Sequence, residues 1–438
     1  CGIQQYFSWM LNRTHDIIGR REEGSLLFVH FDKSKQQKPI KIWLEDVDQV
    51  DEGCLRQVIN LSNLPFIHKW AALMPDCHQG YGMPIGGVIA TDGVIIPNAV
   101  GVDIGCGLCF VQTDVPAETL QIDSGGQGKL IQTIIGQILR SVPTGFKHHK
   151  KKRHCTVLDR AASQFPREHL VPKLVPEMDS GYYQVGTLGG GNHFIEIQAD
   201  EDGLTGLMVH SGSRNFGFKV CNYFNKLAKG LNKQWKSPVP ASYDLAYFPV
   251  DTEEGQQYIS WMQLAQDFAR ENRSQIMSQV QDIFRDCLKK HARIQDIKFH
   301  KPINCHHNYA SFEHHYVKDV WVHRKGAISA RSGEMGVIPG AMGSYSYIVE
   351  GLGNPESFHS CSHGAGRVYS RKKAKKTFSV QEVMDDLNKL GVALGKRRKG
   401  DVAEECRMVY KDIDFVLNQQ LDLVRPVKKL KTLGVVKG

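Results

Sequence analysis

Gly101-Val-Asp-Ile-Gly-Cys-Gly107 packs three glycines, a carboxylate and a thiol into seven residues. Glycine lets a backbone adopt positive φ or approach a ligand closely, so the polar side chains beside it face a site rather than a core. The surrounding stretch, Lys69 to about Gln112, is rich in Gly, Val and Ile and is broken by Pro75, Pro84 and Pro97. It reads as short strands joined by tight loops.

The same texture returns at Gly181–Val209, around a Gly-rich turn, and across residues 301–350. Between them the apolar spacing turns helical. From about Gln256 to His291, Tyr258, Met262, Ala265, Phe268, Ile276, Val280, Phe284 and Leu288 fall on one face at a period near 3.6. Residues 115–141 also read as helical, as do Val380–Leu390 and Ala403–Leu423. Residues 1–60 suggest a short helix and then strands such as Ser25–His30 and Pro39–Trp43, with 1–40 peripheral to a single catalytic unit spanning 1–438. Lys147–Arg153 is a basic run, read as a solvated loop. Strands and helices mix without regular β-α-β alternation, which favours an α+β fold.

The formal charge of +9 favours a polyanionic partner without proving one. Eleven Cys, an odd number spread along the chain, form no short disulfide framework and suggest reduced thiols in a cytoplasmic protein. No apolar run of about 18 residues predicts a transmembrane helix, and no signal-peptide pattern is seen.

Six loops concentrate the chemistry. They are Met74-Pro-Asp-Cys-His-Gln-Gly-Tyr-Gly82, the Gly101–Gly107 loop, Gly186-Thr-Leu-Gly-Gly-Gly-Asn-His-Phe-Ile-Glu196, His210-Ser-Gly-Ser-Arg214, Asn304-Cys-His-His-Asn-Tyr309 and Ser360-Cys-Ser-His-Gly-Ala-Gly-Arg367. Asp103 and Cys106 combine a hard and a soft donor, a pair suited to a borderline divalent ion, although a turn Asp beside a buried Cys explains them equally. His193, His210 and His307 each sit in a Gly- or Asn-bearing loop, and imidazole suits several metals alike. Cys106 and Cys109 form one C-x-x-C, but a zinc ribbon needs two. His363, in a small-residue loop with Arg367 and Arg371 following, suits phosphate chemistry as acid, base or nucleophile. Gly125–Lys129 fails as a P-loop, since Leu130 replaces Ser or Thr, and no Lys-x-Asp-Gly occurs. The basic runs Arg371–Lys376 and Lys396–Lys399 suit either a solvated face or a nucleic-acid backbone.

In this order the six loops resemble the RtcB family of RNA ligases, from about Ile42 to the ending Val436-Lys-Gly438. The resemblance implies an α+β fold with a β-sheet core, surrounding helices and an active site in a central cleft. It implies two Mn²⁺ ions held by Asp103, Cys106, His193, His210 and His307, with His307 chosen over His306. It makes His363 the guanylylated histidine, with Asp76 an acidic neighbour of the metals. Asn192, Glu196, Asn308, Pro339, Gly340, Ala341, Met342, Ser346, Gly364, Ala365, Gly366 and Lys437 are implied nucleotide contacts, Ser346 and Lys437 recognising guanine. Arg214, Arg367 and Arg371 are implied contacts to RNA phosphate. One departure stands out: many members read Pro-Gly-Ser-Met-Gly where this chain has Pro339-Gly-Ala-Met-Gly343, so a hydroxyl is lost at Ala341 and altered guanine contact is expected.

The implied activity joins RNA 3′-phosphate or 2′,3′-cyclic phosphate ends to 5′-hydroxyl ends, using GTP, with an archease-type activator as a candidate partner and no membrane. Two other classes compete. A non-enzymatic RNA-binding scaffold would have an eroded site, whereas these positions are intact. A metal-dependent phosphoesterase would use the His/Asp/Cys cluster but leave His363 and Lys437 unexplained.

Overall fold

The computed structural model describes residues 17–21, 26–125, 128–398 and 400–438. Helices and strands intermingle in an α+β architecture built on two large sheets. One has seven strands, in the spatial order Ile17–Arg21, Phe28–Asp32, Ile40–Ile42, Ile67–His78, Ile85–Thr91, Lys318–Lys325 and Asn308–His315. The other has eight and runs Ile303–His306, Gly107–Pro116, Leu204–Ser211, Phe194–Ala199, Val424–Lys437, Tyr345–Gly351 and Met335–Ile338, with Ala393–Gly395 added alongside Val424–Lys437. Within each sheet a single pairing is parallel, Ile40–Ile42 with Ile67–His78 and Ala393–Gly395 with Val424–Lys437.

Strand alternation decides what each face does. In Phe194–Ala199, Ile195 and Ile197 pack onto the helices Leu130–Ser141 and Glu253–Ala292, through Ile131, Ile134, Ile135, Ile276, Val280 and Phe284. The alternate residues, Phe194, Glu196 and Gln198, therefore point to the opposite side of the sheet. Between the two sheets lies a second core, where Ala72, Met74, Val88 and Val322 meet Ile338, Tyr347, Val349 and Val424. The outer face of the seven-stranded sheet is covered by Glu52–Ser62, whose Cys54, Val58 and Leu61 rest on Ala71, Leu73 and Ile89. Asp51 starts that helix by accepting from the Cys54 amide at 2.9 Å.

The helix Glu253–Ala292 is 40 residues long, about 60 Å at 1.5 Å per residue. Thr252 caps it, Glu253 and Glu254 occupy its positive end, and Lys289, Lys290 and His291 its negative end. All eight apolar positions expected on its inner face are buried. Val380–Leu390 has the expected bounds, set by a Ser379/Glu382 capping box and a left-handed Gly391.

Elsewhere the expected boundaries change. Residues 115–141 divide into the end of a strand, a short 3-10 turn and the helix Leu130–Ser141. Gly181 lies inside the helix Val175–Gln184, and strand structure begins only at Phe194. The helix expected over Ala403–Leu423 is three short pieces, Val402–Glu405, Arg407–Val409 and Ile413–Asn418, because Asp412 caps a fresh start. Helices Arg214–Gln234, Thr156–Gln164 and Arg371–Thr377 are additional. The short helix expected near the start of the chain lies outside the described residues. Among the described residues all ten cysteines are free, and no helix is long and apolar enough to cross a membrane.

Candidate active site

Four neighbouring strands of the eight-stranded sheet carry the expected metal ligands. Asp103 and Cys106 precede Gly107–Pro116, His193 precedes Phe194–Ala199, His210 nearly ends Leu204–Ser211, and His307 follows Ile303–His306. These strands pair antiparallel, so two beginnings and two ends fall at one edge: Leu108 is opposite His210, Phe194 opposite His210, and His306 opposite Gly107. His307 also marks where the chain leaves this sheet, because Asn308 opens a strand of the other.

The donor atoms converge. His193 Nε2 lies 3.0 Å from Asp103 Oδ2 and 3.3 Å from Cys106 Sγ, and His210 Nε2 lies 3.4 Å from that sulfur. Bonds of about 2.0–2.3 Å to one tetrahedral ion put its donors roughly 3.3–3.8 Å apart, so the two spacings to the sulfur fit a shared cation, while the 3.0 Å His193–Asp103 contact is that of a hydrogen bond. The imidazoles form a row. Ring centroids are 5.4 Å apart for His193 and His210, 5.1 Å for His210 and His307, and 4.7 Å for His307 and His363. His193, His210 and His307 are all buried, each with an Nδ1 that has no hydrogen-bond partner. Burial, reinforced by the neighbouring imidazoles, holds His210 and His307 well below the ordinary histidine value, so both are neutral donors. Burial, then the Asp103 carboxylate, pushes the Cys106 thiol well above its ordinary value. A cation bound at the sulfur would favour the thiolate there.

The loops need their glycines. Gly105 has φ +72°, and a Cβ there would stand 2.8 Å from the Gln266 backbone of the long helix. A Cβ on Gly212 would overlap the Asp103 carboxylate. Two adjacent buried residues of that helix knit the loops together. Arg273 donates to the carbonyls of Gly105 (2.8 Å) and Ser211 (3.0 Å) and lies 3.1 Å from His306 Nδ1. Asn272 accepts from the Gly186 and Thr187 amides and donates to Ser211 and Gly212. This explains His306: it faces Arg273 and the Gly105 carbonyl, while His307 faces the cluster.

His363 follows the short strand Ser360–Ser362. Its Nδ1 lies 2.6 Å from Asp76 Oδ2, a fully buried oxygen that also accepts from the His363 and Gly364 amides. A carboxylate only accepts, so Nδ1 carries a hydrogen, and in the neutral ring Nε2 then holds the lone pair. Gly366 completes the contact, since a Cβ there would collide with the Asp76 backbone.

A second polar group lies on the same face of the eight-stranded sheet. Gln198 donates to Glu196 at 2.7 Å and to Ser346 at 3.1 Å, and Ser346 accepts from Gly340 at 3.2 Å. Burial lifts Glu196 to about 7 against the pull of Lys437. Lys437 is buried beside Phe194, with Nζ 3.4 Å from Glu405. Ala341, Met342 and Ala365 are buried, and a Cβ on Gly364 would stand 3.4 Å from the Pro339 carbonyl, so the 339–342 and 363–366 loops adjoin. Asn192 is exposed in its turn. Asn308 is occupied by backbone, donating to Asp103 O at 3.2 Å and accepting from Gly326 at 3.0 Å.

Residues 57–438 match the family profile described as tRNA-splicing ligase RtcB. The chain belongs to the RtcB family. RNA-splicing ligase RtcB of Escherichia coli K12 is 39% identical over 419 residues, covering 92% of this chain and 98% of that protein. The tRNA-splicing ligases RtcB of Methanococcus maripaludis and Thermococcus kodakarensis are 32% and 31% identical, each covering 93% of this chain and 96% of theirs.

Within this RtcB chain the three arginines differ. Arg214 is half-buried at φ +58° and donates to Thr187 Oγ1 (3.1 Å) and Gly145 O (2.8 Å). Arg367 is occupied by Glu405 (3.2 Å), Tyr410 and the Glu404 carbonyl. Arg371 is half exposed and faces the Gly191 turn. Glu405, which gathers Arg367, Arg371, Lys437 and Tyr410, was not singled out from the sequence. Neither were Asn272 and Arg273. Asn272 had a signal: it stands four residues from both Phe268 and Ile276, a polar residue in the middle of an apolar helical stripe.

Proposed function

We propose that this chain is a GTP- and Mn²⁺-dependent RNA ligase, joining 3′-phosphate or 2′,3′-cyclic phosphate ends to 5′-hydroxyl ends in tRNA splicing or RNA repair. The activity named for its relatives, RNA splicing ligation, supports RNA ligation here. The observation that carries the chemistry is His363, fixed by Asp76 through Nδ1 and standing next to His307 in the imidazole row.

Asp103, Cys106, His193, His210 and His307 would hold the Mn²⁺ ions, which would supply positive charge to neutralise the triphosphate. His363 Nε2 attacks the α-phosphorus of GTP. An N–P bond forms, the α–β anhydride breaks and pyrophosphate leaves. Asp76 holds the ring in place and stabilises the charge that develops on it. An oxygen of the RNA 3′-phosphate then takes the guanylyl group, breaking the N–P bond. The 5′-hydroxyl attacks that activated phosphate, and GMP departs. A cyclic phosphate is first opened by water.

Glu196 offers an acceptor and Lys437 a donor, matching guanine's amino edge and its O6. Glu405 positions Lys437, and Ser346 joins through Gln198. RNA would approach the strand edge that carries the donor residues, near which Arg214 and Arg371 lie. An archease-type protein is the activator proposed.

Incubation with α-labelled GTP, with Mn²⁺ and separately with Mg²⁺, tests this reading. Label retained on the denatured protein, dependent on Mn²⁺ and absent from His363→Ala, is expected. A phosphoesterase or a scaffold would retain none.

A further inference from the structure

The basic run Lys147–Arg153 is attached to the site rather than remote from it. Gly145, two residues before the run, donates to the Gly189 carbonyl at 2.7 Å and accepts from Arg214 at 2.8 Å. A Cβ on Gly190 would stand 3.5 Å from Gly145 Cα, and one on Gly189 would overlap both Arg214 and the ligand His193. The loop is thus stitched to the turn that presents His193.

Its far side is pinned as well. The amides of His149 and Arg153 donate to the carbonyls of Tyr183 and Tyr182, at the end of the helix Val175–Gln184. The side chains between these anchors face solvent. Phe146 is fully exposed, at 104%. Lys147, Lys150, Lys151 and Arg153 are exposed, and no ion pair involves them among the described residues. Lys152 alone is paired, with Asp179.

A fully exposed phenyl ring gains nothing from burial, and four unpaired cations repel one another, so this arrangement adds no stability to the fold. It has what a single-stranded nucleic acid requires: an aromatic face on which an unpaired base can stack, flanked by cations that follow the backbone.

We propose that residues 145–153 form a landing surface for the single-stranded RNA leading to the end being joined, with Phe146 stacking on a base and Lys147, Lys150, Lys151 and Arg153 contacting phosphates. This rests on the reading that the enzyme acts on RNA, and its test is independent of guanylylation.

Binding of a fluorescein-labelled single-stranded RNA of about 12 nucleotides to the full chain, without GTP, is measured by anisotropy over a range of salt. Phe146→Ala should weaken single-strand binding about five-fold or more and leave a blunt duplex nearly unaffected, while Phe146→Tyr retains the parent affinity. Lys150→Ala/Lys151→Ala should lower the slope of log affinity against log salt by roughly 0.7 per lysine. All three variants should take up α-labelled GMP like the parent. Parent-like affinity and slope in all variants would overturn the proposal, as would equal losses for single-strand and duplex RNA. Loss of GMP labelling in the parent would instead count against the ligase reading and leave the RNA measurement interpretable.

Discussion

Among the described residues two clusters bring imidazoles and an acidic or thiol group within coordinating distance, and they differ in what supplies positive charge. One is Cys106, His193 and His210, extended by Asp103 and His307. The other is Glu313, His315 and His359. Around Glu313 the charge is already balanced. Arg324, fully buried, donates to both its oxygens, and Arg331 lies 3.3 Å away. Despite burial, which raises a carboxyl, Arg324 and His315 hold Glu313 far below the ordinary range. A cation there would have to displace a guanidinium. Around Cys106 the nearest guanidiniums are spent elsewhere, Arg214 on Thr187 and Gly145, and Arg273 on carbonyls and His306. Convergent donors make a metal site only where the fold has not already neutralised them.

The sharpest way to break this comparison is metal content. Cys106→Ala should lose nearly all Mn²⁺ after dialysis, read by elemental analysis, together with RNA joining. Glu313→Ala should keep the parent's metal. Equal losses in the two would mean that the second cluster is also a metal site.

Next in size is the nucleophile. His363→Ala should retain Mn²⁺ and form no covalent GMP adduct, yet still join RNA supplied with a 3′-diphosphoguanosine end. Asp76→Asn keeps the ring but replaces the acceptor, and should slow adduct formation about 10- to 100-fold. An unchanged single-turnover rate would remove Asp76 from this role.

The second cluster should announce itself through stability. Breaking its buried pair with Glu313→Ala is expected to cost about 3–5 kcal/mol, measured by urea unfolding. Arg324 also donates to Ser360 and the Phe358 carbonyl, so it anchors the strand that leads to His363. A loss below roughly 1 kcal/mol would show the pair to be solvent-screened.

The smallest effect is on acid stability. Burial lowers His78 and His323 to about 4, and lowers His210 and His307 as well. Unfolded histidines take up protons near 6.5, so this contribution is fully present above 6.5 and is lost as pH falls toward about 4. Mn²⁺ should move the acid midpoint of the melting temperature lower, because ligated imidazoles resist protonation. The same shift in Cys106→Ala would separate the effect from the cluster.

Much of the site was legible in the sequence because its ligands occupy short Gly-bearing loops, where a polar residue has few other reasons to occur. The long helix was legible through its period. The helix Arg214–Gln234 was not read, although Phe216, Val220, Phe224 and Ala228 form its buried face, because Gly217, Gly230 and a high Lys and Asn content mask the stripe. The partners of the arginines were beyond reach. Arg367 suggested phosphate from its neighbours in the chain, but its partner Glu405 is 38 residues away, and no local pattern links them.

The knitting of the ligand loops by Asn272 and Arg273 has a kinetic consequence. The five converging donor residues are spread over about two hundred residues of chain, from Asp103 to His307, and they meet only when four strands and one helix have docked. Contacts of such high sequence separation carry a loop-closure cost that slows their formation. An ion held there would find its donors assembled by the fold, unlike the ion of a zinc finger, which templates its chain. On the ligase reading, a chelator should leave this protein inactive but still folded.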